Sequence, residues 1–235
     1  MTGVESIRER VAHVLGRVAR AAERSGRKGE EIRLIAVGKT KPAELIGEAI
    51  EAGLAVFGEN YVQEAEGKIS AYPQAEWHFI GKLQRNKVKK AVSLFSWIQT
   101  VDSLSLLMEI SRRAGEAGKV LPVLAEVNLA GEASKAGMEP EALSELIEAS
   151  PGLPGISLRG LMAIPPWTED PEESRPYFIR LRELLAECVS RGGAGEHMTE
   201  LSMGMSNDFE VAIEEGATMV RVGTAIFGSR VRRST

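Results

Sequence analysis

Lys39 follows four consecutive apolar residues, Leu34 to Val37, and one glycine. An ammonium held among apolar groups loses hydration, so its pKa falls and a nucleophilic amine becomes available for Schiff-base chemistry with an aldehyde. The same position also fits the solvated lip of a strand. Lys41, two residues on and just before Pro42, points to the opposite face of an extended chain, so one of the two lysines at most enters a shared site. Near the other end of the chain, SMGMSND (202–208) and RVGTAIFG (221–228) each join glycine to a hydroxyl residue. Ser206, Gly223 and Thr224 there suit phosphate binding through backbone N–H groups and hydroxyls, and equally suit turn chemistry and helix capping. Arg221 alternates with Val220 and Val222, which directs its guanidinium inward if the valines pack under helices. A buried arginine needs an anion or an acceptor; an internal carboxylate or a ligand meets that need.

These residues require elements that bring them together. Strand-length apolar runs occur at 33–38, 55–58, 77–81, 97–101, 121–128, 157–164, 200–204 and 219–223, with helical patterns between them. Continuous apolar strands, each followed by a helix, imply parallel strands covered by helices. Eight such units in 235 residues fit a single-domain α/β fold, a closed (β/α)8 barrel of TIM type, spanning 1–235. No G-x-G-x-x-G follows the first strand, which weighs against an open nucleotide-binding sheet. In such a barrel the chemistry sits at the C-terminal strand ends, where Lys39, Asn60, Met162, Ser206, Arg221, Gly223 and Thr224 all fall. The segment 165–174, PPWTEDPEES, reads as a mobile rim loop. Asn207 to Glu210 has the spacing of a capping box for the seventh strand's helix, with Ser206 at its start and a hydroxyl free to donate. An extra leading helix is expected over 1–27. Val4, Ile7, Val11, Val14, Leu15 and Val18 form its docking stripe, while Glu5, Glu9 and Glu23 argue against a transit peptide.

Composition narrows the function. The net charge of −4 is a poor match for nucleic acid or an anionic membrane, although five basic residues fall within 82–90. No aromatic residue interleaves that basic stretch, which disfavours a base-stacking platform. No run approaches the roughly 18 apolar residues of a membrane helix. A single cysteine, Cys188, excludes an internal disulfide and a multi-cysteine zinc site and is compatible with a reducing compartment. Three histidines, scattered at 13, 78 and 197, give little basis for a metal triad, so no metal is expected.

A lysine after the first strand, an arginine in the eighth and phosphate-suited loops after the seventh and eighth form one constellation. It suits pyridoxal 5'-phosphate: aldehyde to lysine, phosphate to the loops, ring nitrogen to a cationic partner. The segments AVGKTKP (36–42), FGENYVQE (57–64), WHFIGKLQRNK (77–87), VNLAGEASKAGM (127–138), LRGLMAI (158–164), LSMGMSNDFEVAIEEGAT (201–218) and RVGTAIFG (221–228) occur in order along nearly the whole chain. On these segments the sequence closely resembles the pyridoxal phosphate homeostasis proteins, also called proline synthase co-transcribed homologues. The resemblance implies an alanine racemase N-terminal-domain-like barrel, fold type III among pyridoxal phosphate proteins. It implies Lys39 as the lysine of the internal aldimine, Ser206, Gly223 and Thr224 as phosphate-binding positions, and Arg221 near the pyridine nitrogen. Asn60 and Met162 match residues lining the cofactor pocket, and Lys135 matches a second lysine near the site. Glycine stands at position 38 where the family commonly has serine, and Lys82 stands where histidine is frequent.

The family's racemase relative adds a β domain and a tyrosine base opposite the lysine. Here the only tyrosines are Tyr61, Tyr72 and Tyr177, and the chain ends at Thr235, soon after the eighth strand. Racemisation needs two opposed proton carriers, and one candidate is evident. The expectation is therefore a non-catalytic carrier that buffers the cofactor and delivers it to apo-enzymes dependent on pyridoxal phosphate, in the cytoplasm, as a monomer. An amino-acid racemase is the alternative. A class I aldolase acting on a sugar phosphate would share the lysine and phosphate site but needs acid–base partners that are not evident.

Overall fold

A computed structural model describes residues 5–131 and 136–228. Eight strands, β1 (Arg33–Val37), β2 (Val56–Glu59), β3 (Glu76–Phe79), β4 (Trp97–Val101), β5 (Leu121–Glu126), β6 (Ile156–Met162), β7 (Glu200–Ser202) and β8 (Met219–Val222), close in sequence order into one parallel barrel. Its seam joins β1 to β8 with Ile35 opposite Arg221. Every predicted strand is present, with most ends trimmed or displaced by one or two residues. No helix among the described residues is long and apolar enough to cross a membrane.

The helices are α1 (Ile7–Arg24), α2 (Ala43–Glu51), α3 (Val62–Ala71), α4 (Val88–Leu94), α5 (Leu104–Glu116), α6 (Leu143–Ala149), α7 (Arg175–Ser190), α8 (Phe209–Glu214) and α9 (Thr224–Phe227). Serine 6 opens α1 with a capping box to Glu9, the reciprocal arrangement that satisfies donors at the first turn. The α1 stripe of Ile7, Val11, Val14 and Val18 is buried as expected, whereas Leu15 is 41% exposed. Val4 lies outside the described residues. Arg17 and Arg24 pair with Glu210 and Glu214 of α8 at 2.7 Å each, which orients α1 along the α8 side of the barrel.

Most of the apolar core lies between the strands and the helices. Inside the barrel a smaller cluster of Ile35, Leu124, Met162 and Met219 fills the middle layer. Around it the interior carries polar side chains, among them His78, Gln99, Ser202 and Arg221, all buried. Barrel interiors are ordinarily filled by branched aliphatic residues, so this polar content calls for partners and points to the mouth above.

Candidate active-site cleft at the C-terminal mouth of the barrel

A cleft of about 420 Å³ opens at the C-terminal end of the barrel, where loops rather than helix packing decide the surface. Lys39, Asn60, Ser206, Arg221, Gly223 and Thr224 all border it. Six of the predicted site residues, drawn from four strand ends, thus meet in one cavity. Val37, Ile80 and Ile164 supply apolar wall. Met162 lies beneath the cleft in the middle barrel layer, where it carries the floor rather than forming the wall. Lys135 lies outside the described residues.

The lysine's setting differs from the simple strand end expected. β1 stops at Val37, and residues 38–41 form a turn closed by the Lys41 N–H to the Gly38 carbonyl at 3.0 Å. Thr40 takes φ = +63°, a left-handed conformation uncommon for a β-branched residue. The turn, not strand alternation, therefore separates the two lysines. Lys39 borders the cleft, while the Lys41 ammonium donates to the carbonyls of Phe227 and Gly228 at 3.0 Å each, tying the turn to the end of α9.

A buried ionic cluster underpins this turn. Lys68 of α3 lies 2.7 Å from Glu59 and 2.7 Å from Glu64, and donates to the Gly38 carbonyl at 2.8 Å. Glu64 also accepts the Thr40 N–H. Burial pushes the Glu59 carboxyl up to about 7 against the opposing pull of Lys68. Gly38 has no room for more: a Cβ there would lie 2.7 Å from Ile46 Cδ1 and 2.9 Å from Glu59 Oε1. Sequence reading did not single out Lys68. Its i, i+4 spacing from Glu64 is the one available signal, and that spacing is common on solvated helices.

On the opposite wall, Ser206 Oγ accepts the N–H groups of Gly223 at 3.2 Å and Ala225 at 3.3 Å, joining the loops after β7 and β8. Its own proton has no acceptor among the described residues. The predicted capping role is corrected: Asp208 occupies the N-cap position of α8, without a side-chain cap bond, and its carboxylate instead accepts the Met205 N–H at 2.6 Å. Asn207 turns away to donate to the Thr168 carbonyl at 3.0 Å, so it ties the 165–174 loop to the cleft instead of capping. That loop contributes Trp167, 72% exposed, and Thr168 to the rim. Gly204 lets the loop after β7 pack closely on α8, since a Cβ there would sit 2.5 Å from that of Ala212.

Arg221 points inward as alternation predicted and is 4% exposed. Its guanidinium donates to Ser202 Oγ at 2.6 Å and to the Ala163 carbonyl at 2.9 Å. Burial lowers its pKa to about 10, with Glu126 and Asp208 pulling the other way. Glu126 at the end of β5 is itself pushed up to about 7, mainly by burial. Asn60 carries a buried Oδ1 that no described residue satisfies. The cleft thus offers an amine on one side, a hydroxyl among backbone amides on another and a buried cation below, a donor set for an anionic, carbonyl-bearing ligand with a polar ring. None of Tyr61, Tyr72 and Tyr177 borders it.

Comparison with known proteins agrees with this geometry. The alanine racemase N-terminal domain family matches residues 12–231. A pyridoxal phosphate homeostasis protein of Aquifex aeolicus is 48% identical over 224 residues, covering 94% of this chain and 97% of that protein. Its counterpart in Pseudomonas aeruginosa is 45% identical over 229 residues, 97% of each. Among solved structures, PipY of Synechococcus elongatus with pyridoxal phosphate bound matches with a TM-score of 0.83 at 39% identity, over 95% of this chain and 100% of that one. With the barrel, the ordered motifs and near-complete coverage in agreement, the chain belongs to the pyridoxal phosphate homeostasis protein family, built on the alanine racemase N-terminal domain.

Proposed function

We propose that this chain binds pyridoxal 5'-phosphate in the cleft, with Lys39 as the covalent attachment point, and that it buffers and hands over the cofactor instead of turning over a substrate. One observation carries the reading: Lys39, the Ser206 hydroxyl beside the Gly223 and Ala225 amides, and the buried Arg221 border a single cavity of about 420 Å³. The donor set fits the group: the Ser206 and Thr224 hydroxyls, on either side of Gly223, suit its phosphate, and Asn60 Oδ1 is available to a donor on the ligand. When bound, the cofactor supplies an aldehyde that reacts reversibly with primary amines.

The protein's own residues do the rest. The ion cluster of Lys68, Glu59 and Glu64 holds the turn that aims Lys39. Arg221, a donor with no acceptor atoms, would be the residue that meets the ring nitrogen, and a donor there would leave that nitrogen unprotonated and weaken the ring as an electron sink. The exposed rim of Trp167 and Thr224 leaves an approach for an incoming amine. A racemase would place a second proton carrier opposite the lysine, and no tyrosine borders the cleft to do so.

Borohydride treatment of the protein loaded with pyridoxal phosphate, followed by peptide mass mapping, tests the attachment. The expected result is a pyridoxyl group on Lys39 that is lost in Lys39→Ala. Its absence from the Lys39 peptide of the unaltered protein would overturn the assignment. Transfer of bound cofactor to an apo-enzyme tests the carrier role, and racemisation of any member of a broad amino-acid panel would favour the enzyme instead.

A further inference from the structure

Below Arg221 a single file of hydrogen bonds crosses the barrel interior toward its opposite end. Arg221 Nη1 donates to Ser202 Oγ at 2.6 Å, Ser202 Oγ donates to Gln99 Oε1 at 2.6 Å, and Gln99 Nε2 meets His78 Nδ1 at 2.7 Å. His78 Nε2 then lies 2.7 Å from Glu76 Oε1 at the start of β3, on the barrel floor. The links come from four strands, β8, β7, β4 and β3, and Ser202, Gln99 and His78 are fully buried. Trp97 stacks on the His78 ring at 5.5 Å between centroids, which restrains the ring's tilt.

The protons in this file have one consistent arrangement. A guanidinium can only donate, so Ser202 accepts from Arg221 and must give its single proton to Gln99 Oε1. The Gln99 amide is then oriented with Nε2–H toward His78, whose Nδ1 must be the lone-pair nitrogen. His78 therefore carries its proton on Nε2 and donates to Glu76, ending the file on a carboxylate. Burial lowers the His78 pKa, in keeping with a neutral ring. Every donor points from the cleft to the floor, a head-to-tail array between a cation and an anion in which neighbouring bonds polarise one another.

We propose that Gln99 and His78 are positioning residues, which through Ser202 hold the Arg221 guanidinium in the orientation it presents to the aromatic ring of the bound ligand. The inference rests on the cofactor reading above. A core built only for packing would need no polar file here, because aliphatic side chains fill such layers without any partner. The remaining groups set against Arg221 are the Glu126 and Asp208 carboxylates and the Ala163 carbonyl, and none of them replaces the Ser202 contact.

The test is a pH titration of the absorbance of the protein loaded with pyridoxal phosphate, with borohydride trapping as a separate readout. Gln99→Leu removes both central links at similar volume. It is expected to move the apparent pKa of the bound chromophore by on the order of one unit and weaken cofactor affinity about tenfold, while Lys39 is still labelled. His78→Leu should move it in the same direction, and His78→Asn, which keeps an acceptor facing Gln99 Nε2, should restore it. Glu76→Gln, at the half-exposed floor, should give a smaller shift and stands as the deciding variant if Gln99→Leu does not fold. Variants that lose thermal stability but titrate like the unaltered protein would overturn the positioning role and leave only packing. If the unaltered protein takes up no cofactor, both readings fall; if it binds and the variants titrate alike, this one alone falls.

Discussion

Replacing Lys68 by methionine isolates the device that shapes the Lys39 turn. The ammonium has three partners, Glu59, Glu64 and the Gly38 carbonyl, all within 2.8 Å. Methionine keeps most of the volume and removes the charge, leaving the fully buried Glu59 without its cation. Breaking a buried pair in this way costs about 3–5 kcal/mol when the stranded group is ionised. Glu59, however, is already held near pH 7 by burial, and losing Lys68 removes a cause that lowers it, so it rises further. A carboxyl whose folded-state pKa is raised contributes stability that is present below its unfolded value and is lost as pH rises through the folded value. For Glu59 that window runs from about 4.5 to about 7 in the unaltered protein and extends higher in the variant. The full cost of Lys68→Met is therefore expected at pH 8 to 9. Near pH 5 Glu59 is protonated in both proteins, and the loss shrinks to about 1–2 kcal/mol for the missing hydrogen bonds. Urea unfolding of both proteins at the two pH values measures this difference, and borohydride labelling of Lys39 should slow in parallel. An equal cost at both pH values, or no cost at pH 8, would refute the role assigned to Glu59 as the ionised partner.

Other consequences follow from single residues. Thr40→Gly relieves the left-handed backbone at φ = +63° and is expected to stabilise the fold by up to about 1 kcal/mol in thermal unfolding, less whatever entropy glycine adds to the unfolded chain. Ser206→Ala leaves the Gly223 and Ala225 amides without their acceptor, so cofactor affinity by absorbance titration should fall about tenfold, the equivalent of roughly one hydrogen-bonding group. Gly81→Ala would put a Cβ 2.3 Å from the Asn60 carbonyl oxygen, a backbone atom that cannot swing aside. Its expected cost is about 1–3 kcal/mol, together with weaker cofactor binding as Asn60 shifts.

Much of this site is legible along the chain because barrels impose a simple rule. Once eight strand runs alternate with helical patterns, the loops after the strands define the mouth, and Lys39, Ser206, Arg221, Gly223 and Thr224 fall on it. The inward direction of Arg221 needed only two-residue alternation. Alternation failed beyond Val37 because the chain leaves the strand there, and the separation of Lys39 from Lys41 comes from a turn. The capping role read for Asn207 failed for a related reason: its side chain found the Thr168 carbonyl, a partner 39 residues away, in place of its own helix. Lys68 reads as an ordinary helix-surface lysine, because its burial depends on how α3 folds back on β2 and on the 38–40 turn some way before it in the chain, which its own helix periodicity does not show.

The sequence by itself determined the barrel, the strand order and which residues reach the mouth, since these follow from local periodicity and short connections. Only the tertiary structure decided how those residues are held. The ion cluster under the Lys39 turn, the serine bridging two loops and the file from Arg221 to Glu76 each depend on atoms of different strands and helices coming within hydrogen-bond distance. No periodicity encodes such contacts, because closure of the barrel, not neighbourhood along the chain, brings β3, β4, β7 and β8 to face one another across its interior.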